Sequence, residues 1–145
     1  MDPGIERVAA EVVDADVKLH IRFGPGLLES VYQLLLARDL ERRGLVVEPQ
    51  KAVPLEYEGM RIDVAFRPDL LVNGRLVVEL KSAEKLAPVH FKQVLPYLRI
   101  LRLPLGLLIN FGEPTLKRGL HRVLNGYPPS TPSCDIAVCR RTPVR

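Results

Sequence analysis

The spacing of the apolar residues changes after Gly44, and this change limits the folds open to the chain. Residues 5–21 place apolar side chains three and four positions apart, which predicts an amphipathic helix. A second helical pattern runs from about Pro25 to Arg43, with Pro25 suited to a first turn and Gly44 to a helix end. Beyond Gly44 the pattern becomes that of strands, so helices and a sheet should pack together in an α/β unit.

Four extended segments follow the helices. They are residues 45–48, 52–57, 61–72 and 75–80. Asn73-Gly74, between the last two segments, is the strongest hairpin signal in the chain.

The second half of the chain returns to helical spacing. A helix is predicted from about Pro88 to Arg102, and Pro96 should kink or shorten it because proline lacks the backbone donor. Leu105 to Phe111 is a continuous apolar run that predicts a buried strand, and Thr115 to Leu124 predicts a last helix.

The predicted order of elements is therefore α-α-β-β-β-β-α-β-α. It indicates an α/β sandwich in which a mixed central sheet is flanked by helices. We assign residues 1–124 to this domain. Residues 125–145, which contain four prolines and both cysteines, should form a loosely held C-terminal extension with reduced thiols.

Composition narrows the function classes only a little. Hydrophobic residues make up 47% of the 145, which favours a packed core over disorder. The net charge of +4 permits a polyanionic partner without arguing strongly for one. No apolar run approaches the roughly 20 residues of a membrane span, and residues 1–10 lack the apolar core of a signal peptide. We expect a cytoplasmic protein with no membrane partner.

Two carboxylates and a lysine mark the clearest chemical pattern. Asp69 precedes the predicted hairpin turn, and the returning strand carries Glu79, Leu80 and Lys81. Mg²⁺ prefers carboxylate oxygens, water and substrate phosphate, and a nearby ammonium can orient water or offset negative charge. The pattern predicts a hard-cation site beside a positive charge.

Strand register decides whether the two carboxylates meet. Glu79 and Lys81 share a face because side chains alternate along a strand. A two-residue Asn73-Gly74 loop alone would put Asp69 on the opposite face. A three-residue loop that pairs Leu71 with Arg75, or a bulge, would bring Asp69 to the face of Glu79. We predict one of these two solutions.

Two helices carry further candidates. His90, Gln93 and Tyr97 lie three and four residues apart, so they line one face of the predicted helix, where Gln93 and Tyr97 could hold a phosphate or the attacking water. Glu29 lies in an apolar stretch of the second helix, where a carboxylate is costly without a partner. Either set could also be an ordinary polar helix face.

Five motifs together resemble the small bacterial GxxExxY proteins, a branch of the PD-(D/E)XK nuclease superfamily. The likeness covers about residues 5–124. The motifs are Gly26-Leu-Leu-Glu29-Ser-Val-Tyr32, Phe66-Arg67-Pro68-Asp69-Leu70-Leu71-Val72, Val78-Glu79-Leu80-Lys81, His90-Phe-Lys-Gln93-Val-Leu-Pro-Tyr97-Leu98 and Gly106-Leu-Leu-Ile-Asn110-Phe111-Gly112.

The resemblance implies a restriction-endonuclease-like fold and a metal-dependent nuclease that uses Mg²⁺ or Mn²⁺, with DNA favoured as substrate. It implies that Asp69 and Glu79 bind the metal, with the backbone carbonyl of Leu80, and that Lys81 orients the water. Glu29 would be the acid of the first conserved helix. Gln93 and Tyr97 would form a Q-x-x-x-Y element preceded by His90.

Basic side chains suggest where a nucleic acid could lie. The candidates are His90, Lys92, Lys117, Arg118 and Arg122, with His121 beside them. A catalytically inactive module of the same fold that binds nucleic acid or docks a partner is the alternative. It would need no metal, and its affinity would depend steeply on salt. Pairing into a homodimer is a further possibility that the sequence leaves open.

Overall fold

The computed structural model describes residues 2–126, and its first two helices lie where the apolar spacing predicts helices. Helix α1 spans Pro3–Phe23, and the Asp2 side chain caps it by accepting a hydrogen bond from the Gly4 N–H at 2.8 Å. Helix α2 spans Glu29–Arg42. It begins later than expected, because Gly24 and Gly26 take positive φ angles of 65° and 117° and form a loop instead of a first turn.

Seven strands and two further helices complete the described chain. They are β1 (Val47–Pro49), β2 (Val53–Tyr57), β3 (Met60–Phe66), β4 (Leu70–Val72), β5 (Leu76–Lys81), α3 (Pro88–Leu101), β6 (Leu105–Asn110), α4 (Leu116–Gly119) and β7 (Leu120–Leu124).

Five strands form the central sheet in the order β1-β4-β5-β6-β7. Strands β5 and β6 are parallel, and the other neighbours are antiparallel. Helices α1 and α2 cover one face of the sheet and α3 packs near β5, β6 and β7 on the other. The mixed α/β sandwich predicted from the sequence is confirmed.

Two hydrophobic clusters lie on opposite faces of the central sheet. The larger cluster lies under α1 and α2 and takes in Val78, Leu80 and Ile109 from the strands. The smaller cluster joins Val77 and Leu108 to Val94 and Leu98 of α3 and to Leu71 of β4. Because side chains alternate along a strand, Glu79 and Lys81 share the α3 face with Val77.

The last predicted helix is largely wrong. Only Leu116–Gly119 is helical, and Leu120–Leu124 pairs antiparallel with β6 as an edge strand. A side chain at Gly119 would lie 2.1 Å from the backbone oxygen of Asn110, so the chain passes very close to β6 there. Pairing with the open edge of β6 then outweighs the local helical preference.

Two other boundaries differ from expectation. The extended segment predicted at residues 61–72 is interrupted at 67–69, and its halves belong to different sheets. Helix α3 continues through Pro96 to Leu101, so of the two expected effects of Pro96, a kink or a shorter helix, the shorter helix is wrong. The expectations for residues 127–145, including both cysteines, lie outside the described chain. Among residues 2–126, no helix has both the length and the apolar character needed to cross a bilayer.

Asp16 is an unusual polar residue in the larger cluster. It is fully buried in α1, and neither carboxylate oxygen has a hydrogen-bond partner among the described residues. Burial raises the pKa of Asp16 well above its usual value, against a smaller opposing effect from Arg43. Burial therefore favours the neutral form of Asp16 in the fold.

Candidate active site

Asp69 and Glu79 lie side by side across two neighbouring strands. Strand β4 pairs with β5 so that Leu70 is opposite Val78, and the same register sets Asp69 opposite Glu79. The backbone N–H of Asp69 donates to Oε1 of Glu79 at 3.0 Å. Both carboxylates therefore share the α3 face at the end of β5.

The hairpin reaches this arrangement through one extra residue. Asn73 and Gly74 form the turn with φ angles of 52° and 63°, and the N–H of Arg75 donates to the carbonyl of Val72 at 3.0 Å. The ladder nevertheless pairs Val72 with Leu76, so Arg75 is extra on the returning strand. The bulge-like solution is observed, and the pairing of Leu71 with Arg75 is not.

Two donors fix the Asp69 carboxylate. The N–H of Leu80 donates to Oδ2 at 2.8 Å, and Nε2 of Gln50 donates to Oδ1 at 3.0 Å. Gln50 also donates from Nε2 to Oε1 of Gln33 at 3.1 Å, and from its backbone N–H to the Asp69 carbonyl at 3.1 Å. Each Asp69 oxygen keeps a lone pair for a further ligand.

Sequence reasoning missed Gln50. Its backbone takes a positive φ of 53°, which is uncommon for a residue other than glycine. Such conformations persist where surrounding contacts hold them, often at functional sites. A single glutamine after a short strand carries no sequence signal that would have identified it.

Burial disfavours the ionised form of the Glu79 carboxylate. Its side chain has 7% of its surface exposed. Burial and then the neighbouring Asp69 charge raise the pKa of Glu79 from 4.5 to about 8, while Lys81 partly offsets the shift. The positive charge of Lys81 therefore does not fully offset the burial of Glu79 and the negative charge of Asp69.

Glu29 reaches the same end of the sheet from the other face. Its Oε1 accepts a hydrogen bond from the N–H of Ser82 at 3.1 Å, directly after Lys81. The hydroxyl of Ser82 donates to the Leu27 carbonyl at 2.8 Å. The carboxylate at the start of α2 is thus held next to the candidate lysine.

Tyr32 explains the Gly-x-x-Glu-x-x-Tyr spacing in structural terms. The fully buried Tyr32 ring stacks on Phe111 with a centroid separation of 4.1 Å. Its hydroxyl donates to the Gly24 carbonyl and accepts from the Leu27 N–H. These bonds shape the loop that precedes Glu29, so Tyr32 positions this acid from within the core.

Asn110 braces the chain that leaves Lys81. Its Oδ1 accepts from the N–H groups of Ala83 and Gly112, each at 3.0 Å, and its Nδ2 donates to the Ala83 carbonyl at 2.9 Å. A side chain at Gly112 would lie 2.1 Å from the Ala83 oxygen. The two loops therefore pack too closely for any residue but glycine at position 112.

Helix α3 brings Tyr97 to the acidic pair. The Tyr97 ring stacks on Phe66 with a centroid separation of 4.1 Å. Burial, followed by the charges of Glu79 and Asp69, raises the pKa of Tyr97. Gln93 is exposed one turn earlier on this helix. Nδ1 of His90 accepts from the Ala87 N–H at 3.0 Å, so this nitrogen caps the helix.

Comparison with known families decides the identity of the fold. The model of the PD-(D/E)XK nuclease superfamily matches residues 6–123, most of the chain. The chain belongs to the PD-(D/E)XK nuclease superfamily. A search of curated proteins gave no match, and neither did a search of solved structures.

In this member of the superfamily, the motif residues lie on adjacent strands. Pro68-Asp69 leads into β4, and Glu79-Leu80-Lys81 ends β5.

The predicted nucleic-acid-binding residues differ in their surroundings. Arg122 makes two hydrogen bonds to the Glu6 carboxylate, at 2.6 and 3.0 Å, so it faces α1 and lies away from the acidic pair. Lys92, Lys117 and Arg118 are exposed. Arg118 lines an open depression of about 760 Å³ with Glu84, Lys85 and Glu113, where charges of both signs alternate.

The acidic pair has the donor chemistry of a small hard cation. Among residues 2–126, no group of three or more His, Cys, Asp or Glu side chains is placed so that it could hold a metal ion. Mg²⁺ needs fewer, because it commonly takes one or two carboxylates and keeps water and substrate phosphate as its other ligands. The raised pKa of Glu79 marks an excess of negative charge that a cation would relieve. The residues present therefore fit such an ion.

Proposed function

We propose that this chain hydrolyses phosphodiester bonds in DNA and that Mg²⁺, or Mn²⁺, binds between Asp69 and Glu79. The observation that carries the proposal is the burial of Glu79 beside the Asp69 carboxylate, since burial and then the Asp69 charge raise the pKa of Glu79 to about 8. A buried like-charge pair is expensive for a fold to keep, and such pairs concentrate at functional sites. The superfamily match supports a nuclease over other uses of the pair.

The backbone carbonyl oxygen of Leu80 is the proposed third ligand of the cation. Continued by two residues, the β4–β5 register sets Pro68 opposite Leu80. Proline has no N–H to donate to the Leu80 carbonyl. This oxygen lies on the side of β5 where the Leu80 N–H meets Asp69, and we assign it to the cation together with the two carboxylates.

A bound cation would lower the pKa of water and neutralise charge on the attacked phosphate. Lys81, on the same face as Glu79, orients the attacking water and offsets charge on phosphate oxygens. Glu29 keeps the chain at Lys81 and Ser82 in place. The Tyr97 hydroxyl, whose raised pKa keeps it protonated, donates a hydrogen bond to a phosphate oxygen, and Gln93 extends this edge toward the substrate.

The narrower assignment to GxxExxY proteins is also a proposal. It is supported by the separate structural roles of the three residues. Gly26 has a φ of 117°, and the Glu29 carboxylate accepts a hydrogen bond from Ser82. The Tyr32 hydroxyl donates to the Gly24 carbonyl and so shapes the loop that precedes Glu29. The Gly-x-x-Glu-x-x-Tyr spacing therefore corresponds to one local arrangement that positions the Glu29 carboxylate.

A cleavage assay on labelled single- and double-stranded DNA and on RNA tests the proposal. Cleavage should require Mg²⁺ or Mn²⁺, stop in EDTA, and fall by about a thousandfold or more in Asp69→Ala and Lys81→Ala. The matched controls are Lys18→Ala and Asp14→Ala, which alter the ion pair between these residues on α1 and, for Asp14, a second ion pair with Arg43. Cleavage that survives both site substitutions would refute the proposal. Metal-independent, salt-sensitive binding without cleavage would favour the inactive-module alternative.

A further inference from the structure

Strands β2 and β3 form a hairpin outside the central sheet. One face carries Leu55, Tyr57, Met60, Ile62 and Val64, by the alternation of side chains and the pairing of Leu55 with Ile62. Met60, Ile62 and Val64 are 55%, 39% and 44% exposed. Neither hydrophobic cluster includes these residues. The hairpin is anchored at its base, where Phe66 stacks on Tyr97.

The outer edge of β3 is open. Within residues 2–126, β3 pairs with β2 alone, although it is seven residues long. An isolated two-stranded hairpin is marginally stable in water, and a long exposed edge is a template for another strand. The hairpin therefore has both an unpaired edge and an apolar surface that a further strand would extend.

The charge of the hairpin argues against nucleic acid as its partner. Glu56, Glu58 and Asp63 carry three negative charges and Arg61 carries one positive charge, so residues 55–64 have a net charge of −2. A phosphate backbone would be repelled by this balance. Arg61 forms ion pairs within the hairpin, with Asp63 at 3.1 Å and with Glu56 at 3.4 Å, but all three side chains stay more than half exposed. A protein strand that places a cation opposite Asp63 and an anion opposite Arg61 would therefore still be attracted.

We propose that the outer edge of β3 pairs antiparallel with the same edge of a second copy of this chain, so that the two hairpins form one four-stranded sheet. The pairing would be centred on Ile62. It places Arg61 of each copy opposite Asp63 of the other. The proposal is independent of the proposed nuclease activity.

The geometry of the turn selects this register. Glu58 and Gly59, with φ angles of 47° and 80°, form a two-residue turn between Tyr57 and Met60. In such hairpins the residues flanking the turn exchange hydrogen bonds, and the exchange alternates along the strand. Met60 and Ile62 thus bond to β2, while the backbone groups of Arg61 and Asp63 point to the open edge.

Three antiparallel registers use these outward groups near the middle of the strand. Centring on Arg61 sets two arginines opposite each other, and centring on Asp63 sets two aspartates opposite each other. Like charges directly opposite are destabilising, and opposite charges stabilise. Centring on Ile62 alone pairs unlike charges, twice over by symmetry. It also continues the apolar face, because Met60 lies opposite Val64 of the second copy.

Sedimentation velocity of the full chain over a concentration series tests the proposal. The wild type should show a reversible dimer. Asp63→Arg and Arg61→Asp each place like charges opposite one another twice, so each should raise the dimer dissociation constant by about tenfold or more. Glu41→Arg, the same type of charge change at an exposed position on α2, should dimerise as the wild type does.

Mixing the two variants gives the sharper result. Asp63→Arg and Arg61→Asp should each stay monomeric alone and form a dimer when mixed in equal amounts, because unlike charges then face each other at both positions. Circular dichroism must show that both variants are folded. The proposal is overturned if the wild type remains monomeric throughout, if either variant dimerises like the wild type, or if the mixture stays monomeric. Wild-type-like dimers of both variants that Ile62→Lys abolishes would indicate face-to-face packing instead.

Discussion

Replacing Glu79 with glutamine should stabilise the metal-free protein while abolishing its activity. The fold raises the pKa of this carboxyl from 4.5 to about 8, so the folded state favours the neutral form and the unfolded state the charged form. Between these two pKa values, each pH unit costs the wild-type fold about 1.4 kcal/mol, and at pH 7 the total is about 3 kcal/mol. Glutamine keeps an oxygen to accept the Asp69 N–H and does not ionise, so Glu79→Gln avoids this cost.

Urea denaturation in EDTA at several pH values measures the effect. The difference in free energy of unfolding between Glu79→Gln and the wild type should be below about 1 kcal/mol at pH 5 and should grow to about 3 kcal/mol at pH 7. Glu84→Gln, an exposed glutamate close by in the chain, should change little. A variant that is no more stable than the wild type, or a difference that does not depend on pH, would refute the reasoning about the acidic pair.

Three further predictions concern other parts of the chain. Because Glu79 must lose its proton to bind a cation, the dissociation constant for Mg²⁺, measured by calorimetry, should fall about tenfold per pH unit up to about pH 8; a constant affinity would contradict this. Gln50→Ala should weaken Mn²⁺ binding by about tenfold without changing the circular dichroism spectrum, while Gln33→Ala, which leaves the bond to Asp69 intact, should have less effect. Asp16→Leu should raise the free energy of unfolding at pH 7 by about 1–3 kcal/mol in urea titrations, because it replaces an unpartnered buried carboxyl; a loss of stability would count against that view.

The elements that the sequence predicted well are those whose local pattern and tertiary role agree. Helices α1 and α3 have regular apolar spacing, and each buries the side that the spacing marks, whereas strand β5 is a mostly apolar run that is buried on both faces. The meeting of Asp69 with Glu79 was predictable as a choice between faces, because only two solutions brought the carboxylates together. The residue of β5 that lies opposite Asp69 could not be predicted, because it depends on the extra residue Arg75 in the returning strand.

Other features depend on contacts that no local pattern contains. Strand β7 has a helix-like sequence, and it is extended because β6 offers an open edge beyond the tight contact at Gly119. Gln50 meets Asp69 only because β1 pairs with β4. Arg122 looked like a free cation in the sequence, but the fold brings Glu6, 116 residues away in the chain, to its guanidinium group.

The most direct test of the central claim is a calorimetric titration of the full chain with Mn²⁺ at pH 8, because cation binding does not depend on having chosen the right substrate. The wild type should bind Mn²⁺ and release about half a proton per site, because the pKa of Glu79 is about 8. Asp69→Asn should bind at least about a hundredfold more weakly, and the control Asp14→Asn should bind normally. Equal binding by wild type and Asp69→Asn, or no binding by the wild type, would contradict the assignment of Asp69 and Glu79 as the cation site.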